Sequence, residues 1–245
     1  MPKVKIFQAL NQPPVKIAGS AIVAPPVPPD PFQDYIFGWV HGVGDYIQDV
    51  YGRPISVNNS YVTYSENMGC VVLNVWGTGV IEYGFNGEFN FLHDNSTDWT
   101  IDFFTYIGAT SGRWLFRSYT DGDTDSGVGM YLSSFGAPTA TFIVKKPGDV
   151  CFSAEVSIDG LVDYDWIHFE IGYRKAFDRI LVFVNGQYLA NVARLSPVSV
   201  AASKKFYLGG QSLYQAMYGS FGPFRITQAL RHTSSFTPPE RLLST

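Results

Sequence analysis

The chain has few charges and no concentrated basic segment, which excludes several classes of protein. Only 16% of its 245 residues are charged, and the formal net charge is −4. Lysine and arginine do not cluster beyond pairs such as Lys145-Lys146 and Lys204-Lys205, whereas phosphate binding needs a basic face. We therefore expect no nucleic-acid partner.

Cysteine is also scarce. Cys70 and Cys151 form neither a CxxC motif nor a disulfide framework, so two buried thiols are favoured over a single bridge. Residues 1–8 lack the apolar run of a signal peptide, and no stretch approaches the length of a membrane span. We expect a protein made in the cytoplasm without a secretion signal and without a membrane partner.

Aromatic residues and glycine are abundant. The 19 Phe, 15 Tyr and 24 Gly suit strands joined by tight turns better than helices. Short apolar or alternating segments recur from about residue 32 onward, which predicts a single all-β domain, a two-sheet antiparallel sandwich over residues 32–245. The predicted strands are 61–64, 70–75, 80–83, 99–106, 113–119, 128–132, 142–144, 152–158, 166–171, 180–190 (a hairpin), 206–210 and 224–226.

Two local patterns are especially informative. Alternation in 99–106 places Trp99, Ile101 and Phe103 on one face. Asn185-Gly186 lies between two apolar arms and predicts a type I′ hairpin turn.

The first 31 residues differ from the rest, since they hold 8 of the 15 prolines. Such a segment tends to be extended, and it contains two short apolar strips. It is either a disordered leader or an arm whose strips dock as edge strands on a neighbouring subunit. The apolar residues of the strips are Val4, Ile6, Phe7, Val15 and Ile17.

Several segments, taken together and in order, resemble the strand motifs of laminin-G-like, or concanavalin A-like, jelly-roll domains. The resemblance implies a jelly-roll sandwich of a kind that is mostly a binding module, closed at its edge by the C-terminal run. The matching segments are 71–83, 99–104, 165–171, 180–190, 206–210 and 219–239.

The tail sequence RHTSSFTPP, residues 231–239, is similar to versions common in bacteriophage and bacterial proteins. This resemblance implies a virion protein, released by lysis. Gly222-Pro223 and Asn185 stand where the family has acidic residues, which weakens the argument for a family-type metal site.

Catalytic candidates are sparse. Jelly-roll glucanases resemble one another in a one-strand E-x-D-x-x-E or E-x-D-x-E motif, and the nearest run here is Glu155 to Gly160. Glu155 and Asp159 share a face, but the third carboxylate is missing, so a solvated strand face is favoured. We expect the other carboxylates in turns, His168 as a hydrogen-bonded structural residue, and no enzymatic activity.

One loop could hold a metal ion. Asp121, Asp123 and Asp125 alternate in a glycine-bearing loop and could present oxygen ligands to calcium. Leu132 occupies the twelfth position, where an EF-hand has glutamate. A polar hairpin tip is therefore the favoured interpretation, and no other cofactor is expected.

Aromatic residues in turns are candidates for ligand contact. Trp76 lies in a Gly-flanked turn, and Tyr214 and Tyr218 lie in the loop 211–219. Flat rings with a polar group suit contacts with glycans or proteins. Simple packing within the loop is the alternative.

These observations favour a non-enzymatic bacteriophage virion protein that displays a jelly-roll domain, either as capsid decoration or on the tail. The arm would dock it on other virion proteins in a symmetric, multi-copy assembly. The second hypothesis is a carbohydrate-binding adhesion module that contacts host surface glycans. The third, a glycoside hydrolase or lyase, needs a carboxylate cleft that the sequence does not reveal.

Overall fold

The structure is a computed structural model. It describes residues 36–43, 46–49, 55–57, 62–65, 70–73, 81–83, 89–93, 96–107, 113–118, 127–133, 139–146, 149–159, 166–193, 206–209 and 219–239.

Strands dominate these ranges, together with two short 3₁₀ helices, Asn90–Leu92 and Lys175–Phe177. The strands are, in chain order, β1 (Ile36–Val43), β2 (Tyr46–Asp49), β3 (Ile55–Val57), β4 (Val62–Ser65), β5 (Cys70–Leu73), β6 (Ile81–Tyr83), β7 (Trp99–Ile107), β8 (Arg113–Arg117), β9 (Gly127–Ser133), β10 (Thr139–Lys146), β11 (Asp149–Ser157), β12 (Trp166–Arg174), β13 (Arg179–Val184), β14 (Gln187–Ala193), β15 (Phe206–Leu208) and β16 (Gly219–Thr227).

The strands form two antiparallel sheets, which confirms the predicted all-β sandwich. The first sheet has the order β14-β13-β12-β7-β16-β1-β2, and β5 adds to β16 and pairs with β4. The second sheet has the order β11-β10-β9-β8-β15-β6-β3. Among the described residues, no helix has the length and hydropathy that a membrane crossing requires.

The core lies between the two sheets and is rich in aromatic rings. Trp99, Ile101 and Phe103 are fully buried in it, as their alternation predicts. Phe103 stacks on Phe224 of the same sheet at 5.1 Å and meets Phe116 of the second sheet edge-on at 5.8 Å. These contacts join the two inner faces.

Both predicted hairpins are present. β8 pairs with β9, and β13 pairs with β14. Asn185 and Gly186 have φ angles of 49° and 73°, the positive values that a type I′ turn requires. The local sequence pattern is sufficient here because a two-residue turn sets the register of its own strands.

The C-terminal strand corrects one prediction. We expected the run 219–239 to close the sandwich at its edge, but β16 lies inside the first sheet, between β7 and β1. Proline has no N–H to donate in a central strand. Pro223 is tolerated because the register shifts between Phe221 and Phe224, so the proline falls within a bulge.

Cys70 is a buried thiol, in line with its expected burial. The side chain of Cys151 lies outside the described residues, so the state of that cysteine remains a prediction. The same holds for the arm, residues 1–31, and for its boundary with the domain.

Candidate functional site

The residues after β16 cross the outer face of the first sheet, the face that points away from the core. We call residues 228–239 the strap. At its start, Thr100 Oγ1 donates a hydrogen bond to the Ala229 carbonyl oxygen at 2.8 Å. Further on, the Phe236 N–H donates to the Gly186 carbonyl oxygen at 2.9 Å, and the Tyr188 N–H donates to Ser235 Oγ at 3.0 Å. The strap is therefore attached to β7 and to the β13–β14 hairpin.

Beneath the strap lies a row of buried charged residues on neighbouring strands. Glu170, Asp102 and Arg225 are register partners on β12, β7 and β16, and all three are buried. Arg225 Nη2 lies 2.7 Å from Asp102 Oδ1. His232 of the strap lies with Nδ1 2.8 Å from Glu170 Oε2.

This row corrects the expectation that the remaining carboxylates lie in turns. Asp102 and Glu170 are adjacent on central strands. Each already has a cationic or imidazole partner and is covered by the strap. The pair therefore does not form an open acid–base cleft.

Stacked aromatic rings cover part of this row of buried charged residues. Phe236 stacks on His232 with ring centroids 3.6 Å apart and planes 7° apart. The same ring meets His168 and Phe183 edge-on at 5.8 and 5.5 Å. Phe236 thus fills the space above β12 and β13.

His168 departs from its expected role as a hydrogen-bonded residue. Neither ring nitrogen has a hydrogen-bond partner within the described ranges. The ring instead packs against Phe104 at 4.7 Å and against Phe236. Burial lowers the pKa of His168 to about 4, so the imidazole is neutral at pH 7.

Glu170 shows the opposite effect of burial. Removal from water raises its pKa, and the hydrogen bond from His232 partly opposes that shift. The link between the strap and β12 therefore depends on a carboxylate that is costly to ionise.

An open pocket lies beside the strap at the end of the β12–β13 hairpin. We call it the Phe177 pocket, and its volume is about 470 Å³, within the usual range for small-ligand sites. Phe177 is 59% exposed, whereas Leu181 is 4% exposed and lies at the base. The lining residues are Arg174, Phe177, Arg179, Leu181 and Asn191.

The register explains this lining. Leu181 lies on the outer face because its neighbours Ile180 and Val182 belong to the core. It pairs with Gly172 on one side and Asn191 on the other. A Cβ at Gly172 would contact Leu230 of the strap at 2.6 Å, so the strap borders the pocket.

The loop that presents Phe177 is held by hydrogen bonds. The Lys175 N–H donates to Asp98 Oδ1 at 2.7 Å, and Lys175 Nζ donates to the Ser96 carbonyl oxygen at 2.7 Å. Tyr173 donates its hydroxyl to Asp178 Oδ1 at 3.0 Å, and Asp178 has a left-handed φ of 47°. An exposed phenyl ring is therefore displayed on a preorganised loop.

One guanidinium group lies over the ring, and a second lines the same pocket. Arg174 and Arg179 are register partners on β12 and β13, and Arg174 Cζ lies 4.1 Å from the Phe177 ring centroid. Neither arginine forms an ion pair with a carboxylate in the described part of the chain. The pocket thus combines an apolar ring, an amide and two cations.

Most candidates predicted from the sequence are not among the described residues. Trp76, Tyr214 and Tyr218, the arm residues, and the calcium candidates Asp121, Asp123 and Asp125 all fall outside the described residues, so those predictions remain untested. Within the described ranges, no three metal-ligating side chains come together. Glu155 and Asp159 are exposed, which confirms the solvated strand face.

Sequence reasoning did not identify the Phe177 pocket. The segment 173–179, YRKAFDR, did carry a signal, because a hairpin loop that combines three cations with an aromatic residue is unusual for a simple turn.

Comparisons with known proteins identify the fold. No family model matches the chain, and no curated protein is significantly similar to it. Among solved structures, the binding domain of Paraclostridial Mosquitocidal Protein 1 is similar with a TM-score of 0.64 and 14% sequence identity. That alignment covers 81% of this chain and 50% of the other.

Binding domains of botulinum neurotoxins are similar to the same degree. The serotype D domain has a TM-score of 0.63 and 13% identity, over 81% of this chain and 49% of that one. The neurotoxin DC domain, in complex with SialylT, has a TM-score of 0.63 and 14% identity over the same shares. The chain therefore shares the all-β sandwich fold of these domains and spans about half of their length.

Proposed function

We propose that this chain is a non-enzymatic binding module that attaches to surface glycans through the Phe177 pocket. The observation that carries the proposal is an exposed phenyl ring, held on a rigid loop above a pocket with polar side chains at its rim. Aromatic faces pack well against flat apolar surfaces, and a few placed polar groups then set orientation.

The solved structures support the same class of function. The similar domains are receptor-binding or binding domains, one of them in complex with SialylT and another with rat synaptotagmin II. The report on botulinum neurotoxin type C describes cell entry that depends on two ganglioside molecules. A non-enzymatic role also accords with the buried, partnered state of Asp102 and Glu170.

A glycan array tests the proposal. We expect the purified chain to bind a subset of glycans and Phe177→Ala to lose that binding. Leu189→Ala is the matched control, because Leu189 is also an exposed apolar residue, 47% accessible, but does not line the pocket. Absence of glycan binding by the wild-type chain would overturn the proposal. Binding that survives Phe177→Ala would overturn the assignment to this pocket and favour Trp76, Tyr214 and Tyr218.

We further propose that the module is carried on a bacteriophage particle as capsid decoration or a tail component, with residues 1–31 as its docking arm. The support is the proline-rich composition of the arm, with its two apolar strips, and the resemblance of residues 231–239 to sequences common in bacteriophage proteins. Extended segments of this kind dock on partners by adding a strand to an exposed edge.

Deletion of residues 1–31 tests the arm. We expect the shortened chain to fold and to keep its glycan binding, but to be absent from purified particles. Recovery of the shortened chain on particles at the wild-type level would rule out the docking role.

A further inference from the structure

We infer that the Phe177 pocket selects glycans that carry a carboxylate group. The inference rests on the proposed glycan binding and specifies its ligand. It is carried by the placement of Arg174 and Arg179, which lie directly opposite each other on neighbouring strands and both line the pocket.

Like charges directly opposite on neighbouring strands destabilise a sheet. Within the described residues, no carboxylate pairs with either guanidinium to relieve that repulsion. A bound anion would relieve it. The planar guanidinium fork matches the two oxygens of a carboxylate.

The nearby carboxylates are engaged elsewhere. Asp178 Oδ1 accepts a hydrogen bond from the Tyr173 hydroxyl, and Asp98 Oδ1 accepts one from the Lys175 N–H. Asp102 and Glu170 are partnered under the strap. Two cations without a carboxylate partner among the described residues therefore line one pocket, on a chain whose formal net charge is −4.

The remaining lining residues suit a sugar ring. Phe177 offers an exposed apolar face, and the Asn191 amide can donate to and accept from hydroxyl groups. A sugar acid brings a carboxylate, a ring and hydroxyl groups together in one small ligand. A free inorganic anion would use the arginines and leave Phe177 without a role.

Isothermal titration of the full chain with 3′-sialyllactose, lactose and 3′-sulfolactose tests the inference. We expect 3′-sialyllactose to bind at least about tenfold more tightly than lactose, since a charged hydrogen-bond pair contributes that much. Arg174→Gln and Arg179→Gln should each lose this preference, so that 3′-sialyllactose binds no more tightly than lactose to the same variant. Arg174→Lys should restore it only in part, because lysine lacks the planar fork.

Lys146→Gln is the matched control, because Lys146 is a cation on β10 of the second sheet and does not line the pocket. Its preference for 3′-sialyllactose should equal that of the wild-type chain. If this variant lost the preference as fully as the arginine variants, the preference would depend only on the net charge of the chain, and the inference would be overturned. Far-UV and near-UV circular dichroism would confirm that each variant is folded.

The outcomes separate the inference from the proposed function. Equal affinity for lactose and 3′-sialyllactose would overturn carboxylate selection and leave glycan binding intact. Equal affinity for the sulfated and sialylated sugars would also overturn it, in favour of a general anion site. A chain that binds no glycan on the array contradicts the proposed function itself.

Discussion

Phe236 is the residue that joins the strap to the sheet. Its ring stacks on His232 and meets His168 and Phe183 edge-on. The ring therefore contacts both a residue that pairs with Glu170 and two residues of the outer face. The run Phe236-Thr237-Pro238-Pro239 has a structural role here, since Phe236 anchors the strap.

Phe236→Ala should lower the free energy of unfolding by roughly 2–3 kcal/mol, somewhat less than a fully buried phenylalanine would cost. Urea denaturation followed by fluorescence measures the change. Phe177→Ala serves as the comparison, because Phe177 is largely exposed and its loss should change stability by about 0.5 kcal/mol or less. Equal effects of the two substitutions would show that the strap is not anchored by this ring.

His168 makes stability depend on pH. Its pKa is about 4 in the folded chain and 6.5 when unfolded, so the unfolded chain binds more protons between these values. Its contribution is fully present above pH 6.5 and is lost as the pH falls towards 4, by at most roughly 3 kcal/mol. Burial dominates this shift. Asp102 opposes it, whereas Arg225, His232 and Arg231 add to it.

His168→Gln should therefore lose less stability than the wild-type chain when the pH is lowered from 7 to 4.5. Glu170, whose pKa is raised, works in the opposite sense: it favours the folded state at low pH, and that contribution is lost as the pH rises. Since Glu170 is present in both chains, the difference between their urea unfolding curves isolates His168. Parallel curves would contradict the predicted role of His168.

The turn of the β13–β14 hairpin joins two strands of the first sheet and also contacts the strap. Gly186 has a φ of 73°, and a Cβ there would overlap the Phe236 carbonyl oxygen and contact Pro238 Cδ at 2.8 Å. The glycine is needed for its conformation and for the close approach of the strap. The sequence predicted the positive φ of the turn, but it did not predict that the strap approaches Gly186.

Gly186→Ala should destabilise the chain by roughly 2 kcal/mol or more, because strain at positive φ adds to displacement of the strap. Gln187→Ala, an exposed change in the same hairpin, should stay within about 0.5 kcal/mol. Thermal unfolding of the two variants provides the measurement. A Gly186→Ala chain as stable as Gln187→Ala would mean that the strap does not approach the turn.

Elements differ in how far their sequence predicts them. β7, the β8–β9 hairpin and the β13–β14 hairpin follow from alternation and turn residues, which are local signals. β1, β2 and β3 were not predicted individually, because glycine and polar residues interrupt the apolar alternation in 36–57. β1 pairs with β16 and β3 pairs with β6, which are distant in the chain, whereas β1 and β2 are neighbours in the chain and pair with each other.

At the scale of the whole molecule, the strap determines which part of the outer face is accessible. It covers the charged row of Asp102, Glu170 and Arg225 and borders the Phe177 pocket. A sheet face that carries buried charges needs partners for them, since an unpaired buried charge is costly. The strap supplies His232 and Arg231 for this purpose.

Truncation of the chain after Thr227 should therefore remove cooperative folding, because Glu170 loses His232 and the apolar ring of Phe183 loses Phe236. Near-UV circular dichroism measures the loss of fixed tertiary packing, and the sharpness of the thermal transition measures the loss of cooperativity. Deletion of residues 1–31 is the matched truncation at the other end and should leave both signals intact. A cooperative transition after loss of the strap would show that the charged row does not depend on it.

The sequence by itself determined the fold class and the local elements, because strand alternation and type I′ turn chemistry act between residues close in the chain. It also contained the C-terminal run 219–239, which the resemblance to jelly-roll domains placed at the edge of the sandwich. Only the tertiary structure decided that β16 is central, that the strap covers Asp102 and Glu170, and that Arg174, Arg179 and Phe177 line a pocket with Asn191. The first two depend on contacts between residues distant in the chain, which local patterns do not specify. For the pocket, the run 173–179 contains both arginines and Phe177, but their placement beside Asn191 comes from the pairing of β13 with β14.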